Sequence, residues 1–119
     1  MKVLYEDNHL LVVEKPVNVP MQEDESKDLD LLTMAKAYIK EKYDKPGEVF
    51  CGLVHRLDRP VGGVVVFART SKAAARLAES MAKNTWAKTY EAIVVGNLPE
   101  QTTLIDYLNK DQKSNTTRV

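Results

Sequence analysis

A chain of 119 residues, 44% hydrophobic and 29% charged, has the size and composition of one globular domain, which excludes a disordered or low-complexity polymer. Lys+Arg and Asp+Glu both total 17, so the neutral sum excludes a highly acidic protein and argues against a strongly basic tail. One cysteine and two histidines exclude an internal disulfide framework and leave too few ligands for a structural zinc site.

The neutral sum hides an asymmetry. Residues 1–50 carry 7 basic and 11 acidic groups, a net of −4, whereas residues 51–119 carry 10 and 6, a net of +4. The stretch 54–88 sets seven basic groups against Asp58 and Glu79. Such a half-chain imbalance hints at an anionic partner on one face, although a solvated basic face is the commoner outcome. The N-terminus has no apolar signal core, and no run approaches the roughly 20 apolar residues of a membrane span. A cytoplasmic protein without a membrane partner is the expectation.

Val3-Leu4-Tyr5 and Leu10-Leu11-Val12-Val13 are short apolar runs separated by Glu6-Asp7-Asn8-His9, a pattern that predicts a β-hairpin. Pro16 and Pro20 keep the next stretch extended, and residues 22–30 read as an acidic surface loop. Apolar residues at 31, 32, 35, 38, 39 and 43 have the spacing of one helical face, with Pro46-Gly47 as its stop. Val64 to Ala68 is a continuous apolar run, predicting a central strand covered on both faces. Ser71 is the expected N-cap of an Ala-rich helix over 72–83. Lys88 to Val95 reads as a further strand, and Leu104 to Leu108 as one more. The order ββ-α-β-α-β-β predicts a mixed α+β fold with a largely antiparallel sheet. Residues 110–118 are polar and provide no closing element, so the domain reads as incomplete.

Val54-His55-Arg56-Leu57-Asp58-Arg59-Pro60-Val61-Gly62-Gly63 is the most informative segment. It places a carboxylate between two arginines in a loop that enters a buried strand. Alternation puts Arg56 and Asp58 on one side of the chain and Leu57 on the other. The glycines allow close approach of backbone or ligand. A carboxylate so placed can be a nucleophile, a general base or half of a structural ion pair, and the last is the commonest of the three.

His55-Arg56-Leu57-Asp58 followed by Val61-Gly62-Gly63 resembles the signature of the RluA-type RNA pseudouridine synthases. The surrounding order resembles that family too. Leu11 to Pro16 is similar to its opening strand and Lys-Pro turn, Val64 to Thr70 to the strand after the catalytic loop, and Lys88 to Gly96 to its K-x-Y-x-A-x-V-x-G strand. The resemblance implies a pseudouridine synthase-like catalytic fold, of which residues 1–119 form the N-terminal portion. It implies Asp58 as the catalytic aspartate, Tyr90 as the residue stacking on the target uracil, and Arg56 as the residue entering the RNA stack when the uridine flips out. It implies RNA as partner, ribosomal RNA before transfer RNA, and neither metal nor coenzyme.

Without the resemblance, Tyr90 reads as a core tyrosine and Arg56 equally as a salt-bridge partner. His55 reads as a hydrogen-bonded loop residue and Cys51 as a small buried one. Lys15 is structural or phosphate-contacting. Arg69, Lys72, Arg76, Lys83 and Lys88 offer charge for a phosphate backbone, and Trp86 reads as a core residue before a stacking platform. The chain departs from the pattern at Asn18, where glycine is frequent, and at Gln22, where histidine is frequent. Family domains continue for a further half that brings a second arginine to the aspartate, so this chain alone is expected to be inactive. A non-catalytic RNA-binding module and an architectural fragment with an Arg56–Asp58 ion pair are the competing readings.

Overall fold

Asp7 makes the first turn. Its Oδ1 accepts hydrogen bonds from the backbone N–H of His9 and of Leu10, both at 2.7 Å. This side-chain turn folds strand β1 (Lys2–Glu6) back on β2 (Leu10–Lys15) as the predicted hairpin. The computed structural model describes residues 1–119 and divides into two units, Met1–Ala87 and Lys88–Val119.

In the first unit, helix α1 (Leu31–Lys42) begins at Asp30, whose carboxylate accepts from Thr33 N at 2.9 Å. It ends at Tyr43, and Asp44 turns left-handed (φ 46°) before the Pro-Gly pair is reached. The short strand β3 (Gly52–Leu53) follows, then β4 (Gly63–Ala68) and helix α2 (Ser71–Ala82). The N-cap of α2 is Thr70, whose hydroxyl accepts from Ala73 N at 3.1 Å; Ser71, the expected cap, is already the first helical residue. The hydroxyl that reaches back to a free N–H three residues on decides the cap, and Thr70 has the extended backbone this requires.

The sheet order is β1-β2-β4-β3, antiparallel throughout. The fold is therefore the expected mixed α+β with an antiparallel sheet. Alternation along β2 and β4 sends Leu11, Val13, Val65 and Phe67 into one core with Leu31, Ala35 and Ile39 of α1, and all are buried. On the other face a Cβ at Gly52 would stand 3.2 Å from Ala68 Cβ and from Ala74 Cβ, so α2 packs there at close range. Cys51 joins the core, where burial pushes its thiol up to about 11.

The second unit differs from expectation. Residues 88–108 form no strand, and the only ladder pairs β5 (Asn109–Asp111) with β6 (Thr116–Arg118). The expected strands over 88–95 and 104–108 are absent because a strand exists only by pairing and these residues have no partner ladder. Ile93, Val95, Ile105 and Tyr107 stay exposed in consequence. The polar tail, read as lacking an element, makes the hairpin through Asp111, whose carboxylate accepts from Lys113 N and from the Ser114 hydroxyl.

Glu6, at the end of β1, joins three elements of the first unit. It accepts from Tyr38 at 2.7 Å, from Lys42 at 2.8 Å and from the Tyr43 hydroxyl, with Arg69 Nη1 at 3.7 Å. Burial pushes its carboxyl up, but the Lys42, Tyr43 and Tyr38 donors outweigh it and lower the pKa from 4.5 to about 2. A depressed carboxyl contributes stability that is complete above its unfolded value and is lost as pH falls through the folded one. Glu6→Gln should therefore flatten the stability profile between pH 4.5 and about 2, measured by urea unfolding across that range. Phe67→Ala, at a position with 0% exposure, should cost about 3–5 kcal/mol in the same measurement at neutral pH.

Candidate active site

The loop between β3 and β4 carries the His-Arg-Leu-Asp block, and four constraints shape it. Leu57 packs against the core from its loop position, while Arg56 and Asp58 on either side are exposed, the alternation expected from the sequence. Val61 N donates to Asp58 O at 2.9 Å and closes a turn directly after the aspartate. Gly62 lies against the neighbouring chain, so an added Cβ would stand 3.1 Å from Val17 Cγ1 and 3.3 Å from Lys15 O; Gly63 has a φ of +147°. Larger residues at either position would displace the loop.

His55 anchors the loop from its other end. Its Nε2 accepts the backbone N–H of Val66 at 2.9 Å, which fixes that nitrogen as the unprotonated one. Because β3 pairs β4 only at Phe67 and Ala68, the imidazole supplies the acceptor that a longer strand would have supplied. Trp86 meets the His55 ring edge-on, with centroids 5.4 Å apart, and donates from Nε1 to Ser80 Oγ at 3.0 Å. Trp86 thus has a structural role in supporting His55.

Lys15 is 1% exposed, and its ammonium donates to the carbonyls of Pro16 at 3.1 Å and Arg59 at 3.0 Å. Burial, then the nearby Arg59 charge, lowers its pKa. Of its two expected roles, the structural one is realised. Asn18 takes the left-handed conformation (φ 62°) that a glycine would adopt easily, so this departure from the family pattern leaves the turn intact.

Residues 20–24 and 56–59 line an open cleft of about 250 Å³ that includes Arg56 and Asp58. The anticipated ion pair between these two residues is not formed. Arg56 donates from Nη2 to Gln22 Oε1 at 3.2 Å, while Arg59 turns to Asp28 and Asp24. Alternation sends Arg56 and Asp58 out side by side, and each arginine finds a polar partner across the cleft or in the acidic loop. Tyr90 belongs to the second unit, outside any strand and 66% exposed, so the core role read from an isolated strand tyrosine is not realised. Of the basic residues offered for a phosphate backbone, Arg69 is withdrawn: its side chain is 9% exposed, stacked on Tyr43 with Cζ 4.1 Å from the ring centroid. Lys72, Arg76, Lys83 and Lys88 are exposed, with Lys83 paired to Glu79 at 2.6 Å. No helix is long and apolar enough to cross a membrane.

Sequence reasoning missed the partners of the cleft. As sequence, Gln22 and Asn18 are departures from the family pattern and the acidic loop is plain surface. Opposite charge in the loop and at Arg59 was the available signal, but nothing in the linear chain joins segments separated by 31 residues.

The family model for RNA pseudouridylate synthase matches residues 9–119. A Bacillus subtilis protein described as an uncharacterised RNA pseudouridine synthase, YhcT, is 36% identical over 100 residues, covering 82% of this chain and 32% of its own length. Ribosomal large subunit pseudouridine synthase D of Yersinia pestis is 33% identical over 99 residues, covering 82% and 30%. Dual-specificity RNA pseudouridine synthase RluA of Haemophilus influenzae is 35% identical over 101 residues, covering 82% and 42%. Among solved structures, human RNA pseudouridylate synthase domain containing 4 superposes with a TM-score of 0.60 at 25% identity, covering 71% of this chain and 30% of the other. The chain belongs to the RNA pseudouridylate synthase family, of the RluA type. It spans between about a third and two fifths of the length of these three curated relatives.

His55→Ala leaves the Val66 N–H without its acceptor. The substitution should cost about 1–3 kcal/mol, measured as a lowered urea midpoint with the slope unchanged.

Proposed function

We propose that the intact protein is an RNA pseudouridine synthase and that Asp58 is its catalytic carboxylate. The observation that carries this reading is that Asp58 lies in the family motif on the cleft wall without an ion pair to either neighbouring arginine. With Arg56 and Arg59 engaged elsewhere, the carboxylate is left open to a uridine and to the second arginine that the family's further half brings. In the reaction, the carboxylate attacks the target uridine at its ribose or its base, and the bond from ribose to uracil nitrogen breaks. The uracil turns and rejoins through its C5 as the bond to the carboxylate breaks and Asp58 is released; C5 then gives up its proton and N1 takes one up. None of these steps calls for a metal or coenzyme.

Arg56 is the residue that fills the gap left in the RNA stack. Its side chain is exposed and tied to the cleft by its bond to Gln22, and base extrusion costs a few kcal/mol that a planar guanidinium can offset by stacking. Tyr90 is assigned to the uracil face and to proton removal on rejoining. Residues 1–119 form the N-terminal portion of a larger catalytic domain in this reading. The substrate is ribosomal RNA before transfer RNA, and the protein acts in the cytoplasm.

In the intact protein, Asp58→Ala should lower pseudouridine formation by about a thousandfold or more and leave RNA affinity little changed. Mapping pseudouridine in an unmodified large-subunit ribosomal RNA transcript checks this. Undiminished product from the variant would remove Asp58 from the mechanism. If the wild-type protein binds that RNA with steep salt dependence and makes no pseudouridine from total RNA, the RNA-binding-module reading replaces this one.

A further inference from the structure

Apart from Gln22, which holds Arg56, the acidic segment 22–28 has no part in the chemistry above, yet one side chain gathers it in. Arg59 Nη2 pairs with Asp28 Oδ2, and its Nη1 donates to Ser26 Oγ at 3.1 Å and lies 3.8 Å from Asp24 Oδ2. The third guanidinium nitrogen, Nε, donates to Asn18 Oδ1 at 3.1 Å. The same residue's backbone carbonyl accepts from the buried Lys15 ammonium at 3.0 Å. Arg59 therefore connects the turn after β2, the acidic loop and the backbone immediately following Asp58.

Two consequences follow from this geometry. Gln22, Glu23 and Asp24 form one wall of the Asp58 cleft, so whatever holds the loop shapes the opening to Asp58. The loop also places Glu23 and Asp24 in that wall and carries Glu25 and Asp28 close by in the chain, against only Lys27, which pairs with Glu23 at 3.2 Å. Unpaired carboxylates there would repel a polyanion, and Arg59 offsets two of them.

We infer that Arg59 is a positioning residue, which latches loop 22–28 as a wall of the Asp58 cleft and, by pairing Asp24 and Asp28, lets an RNA strand approach it. The second half rests on the reading of Asp58 as the catalytic carboxylate of an RNA enzyme; the latch itself does not. Lysine would be a partial substitute, since a point charge can meet Asp28 but cannot bridge Asn18, Ser26 and Asp28 together.

The test compares Arg59→Gln, Arg59→Lys and the exchange of Arg59→Asp with Asp28→Arg, each in the intact protein. Hydrogen exchange of amides 22–28 reports the latch, and kinetics on the large-subunit ribosomal RNA transcript report the approach. In Arg59→Gln, exchange in 22–28 should accelerate and the KM for RNA should rise about tenfold. Its kcat should hold within about threefold, because the Asp58–Val61 turn and the bond from Lys15 to the residue-59 carbonyl survive. Arg59→Lys should recover part of both effects, and the charge exchange should restore loop protection. Unchanged exchange in Arg59→Gln, or a loss confined to kcat, would overturn the inference. If the loop loosens in Arg59→Gln but no RNA is converted even by the wild-type protein, the latch stands and the Asp58 reading is what fails.

Discussion

The buried Lys15 ammonium is the interaction on which the arrangement around Asp58 depends. A lysine with 1% exposure must have its charge solvated by the protein, and here two backbone carbonyls do so, those of Pro16 and Arg59. Pro16 belongs to the turn that leaves β2, and Arg59 to the loop that enters β4. The ladder between those strands ends at Lys15 opposite Gly63. The ammonium continues the connection for one step beyond the last strand pair, where the chain has left regular structure. It therefore holds the aspartate loop through its backbone and leaves the side chains of Arg56, Asp58 and Arg59 to line the cleft.

Around that point, each loop constraint replaces something a larger sheet would supply. The His55 ring takes the Val66 N–H where β3 is too short to reach. Gly62 allows the Lys15–Val17 backbone to lie against the loop. Leu57 anchors the chain in the core between two outward-facing polar residues. The result is a loop backbone tethered at several points with Arg56 and Asp58 exposed, the arrangement expected where loops carried by a packed scaffold hold a site. The Glu6 cluster does comparable work at the opposite end of β2, joining β1, α1 and the residue after β4.

Much of the first unit was legible because its signals are local. The hairpin follows from the Glu6-to-His9 turn between two apolar runs, α1 from its apolar spacing, and β4 from a continuous run of Val64 to Ala68. The Thr70 cap was misplaced by one residue, since Ser71 has the same chemistry and only the backbone dihedrals separate them. The second unit was misread for a different reason. Lys88 to Val95 has the composition of a strand, but composition expresses a preference that only a neighbouring strand can satisfy. Family order and strand formation are separate matters, and Tyr90 illustrates it: the motif position is present and the ladder is not.

By itself the sequence determined the α+β class, the antiparallel hairpin, the apolar face of α1, the apolar run of β4 and the block that marks the family. Those follow from periodicity and from residues that act within a few positions of themselves. Only the tertiary structure decided the partners: Arg56 with Gln22 instead of Asp58, Arg59 with Asp24 and Asp28, Lys15 with a carbonyl 44 residues away, and Arg69 buried beneath Tyr43. The physical reason is that several donors near one carboxylate have competing acceptors at similar range. Which one wins depends on how distant segments pack, and no spacing along the chain encodes that.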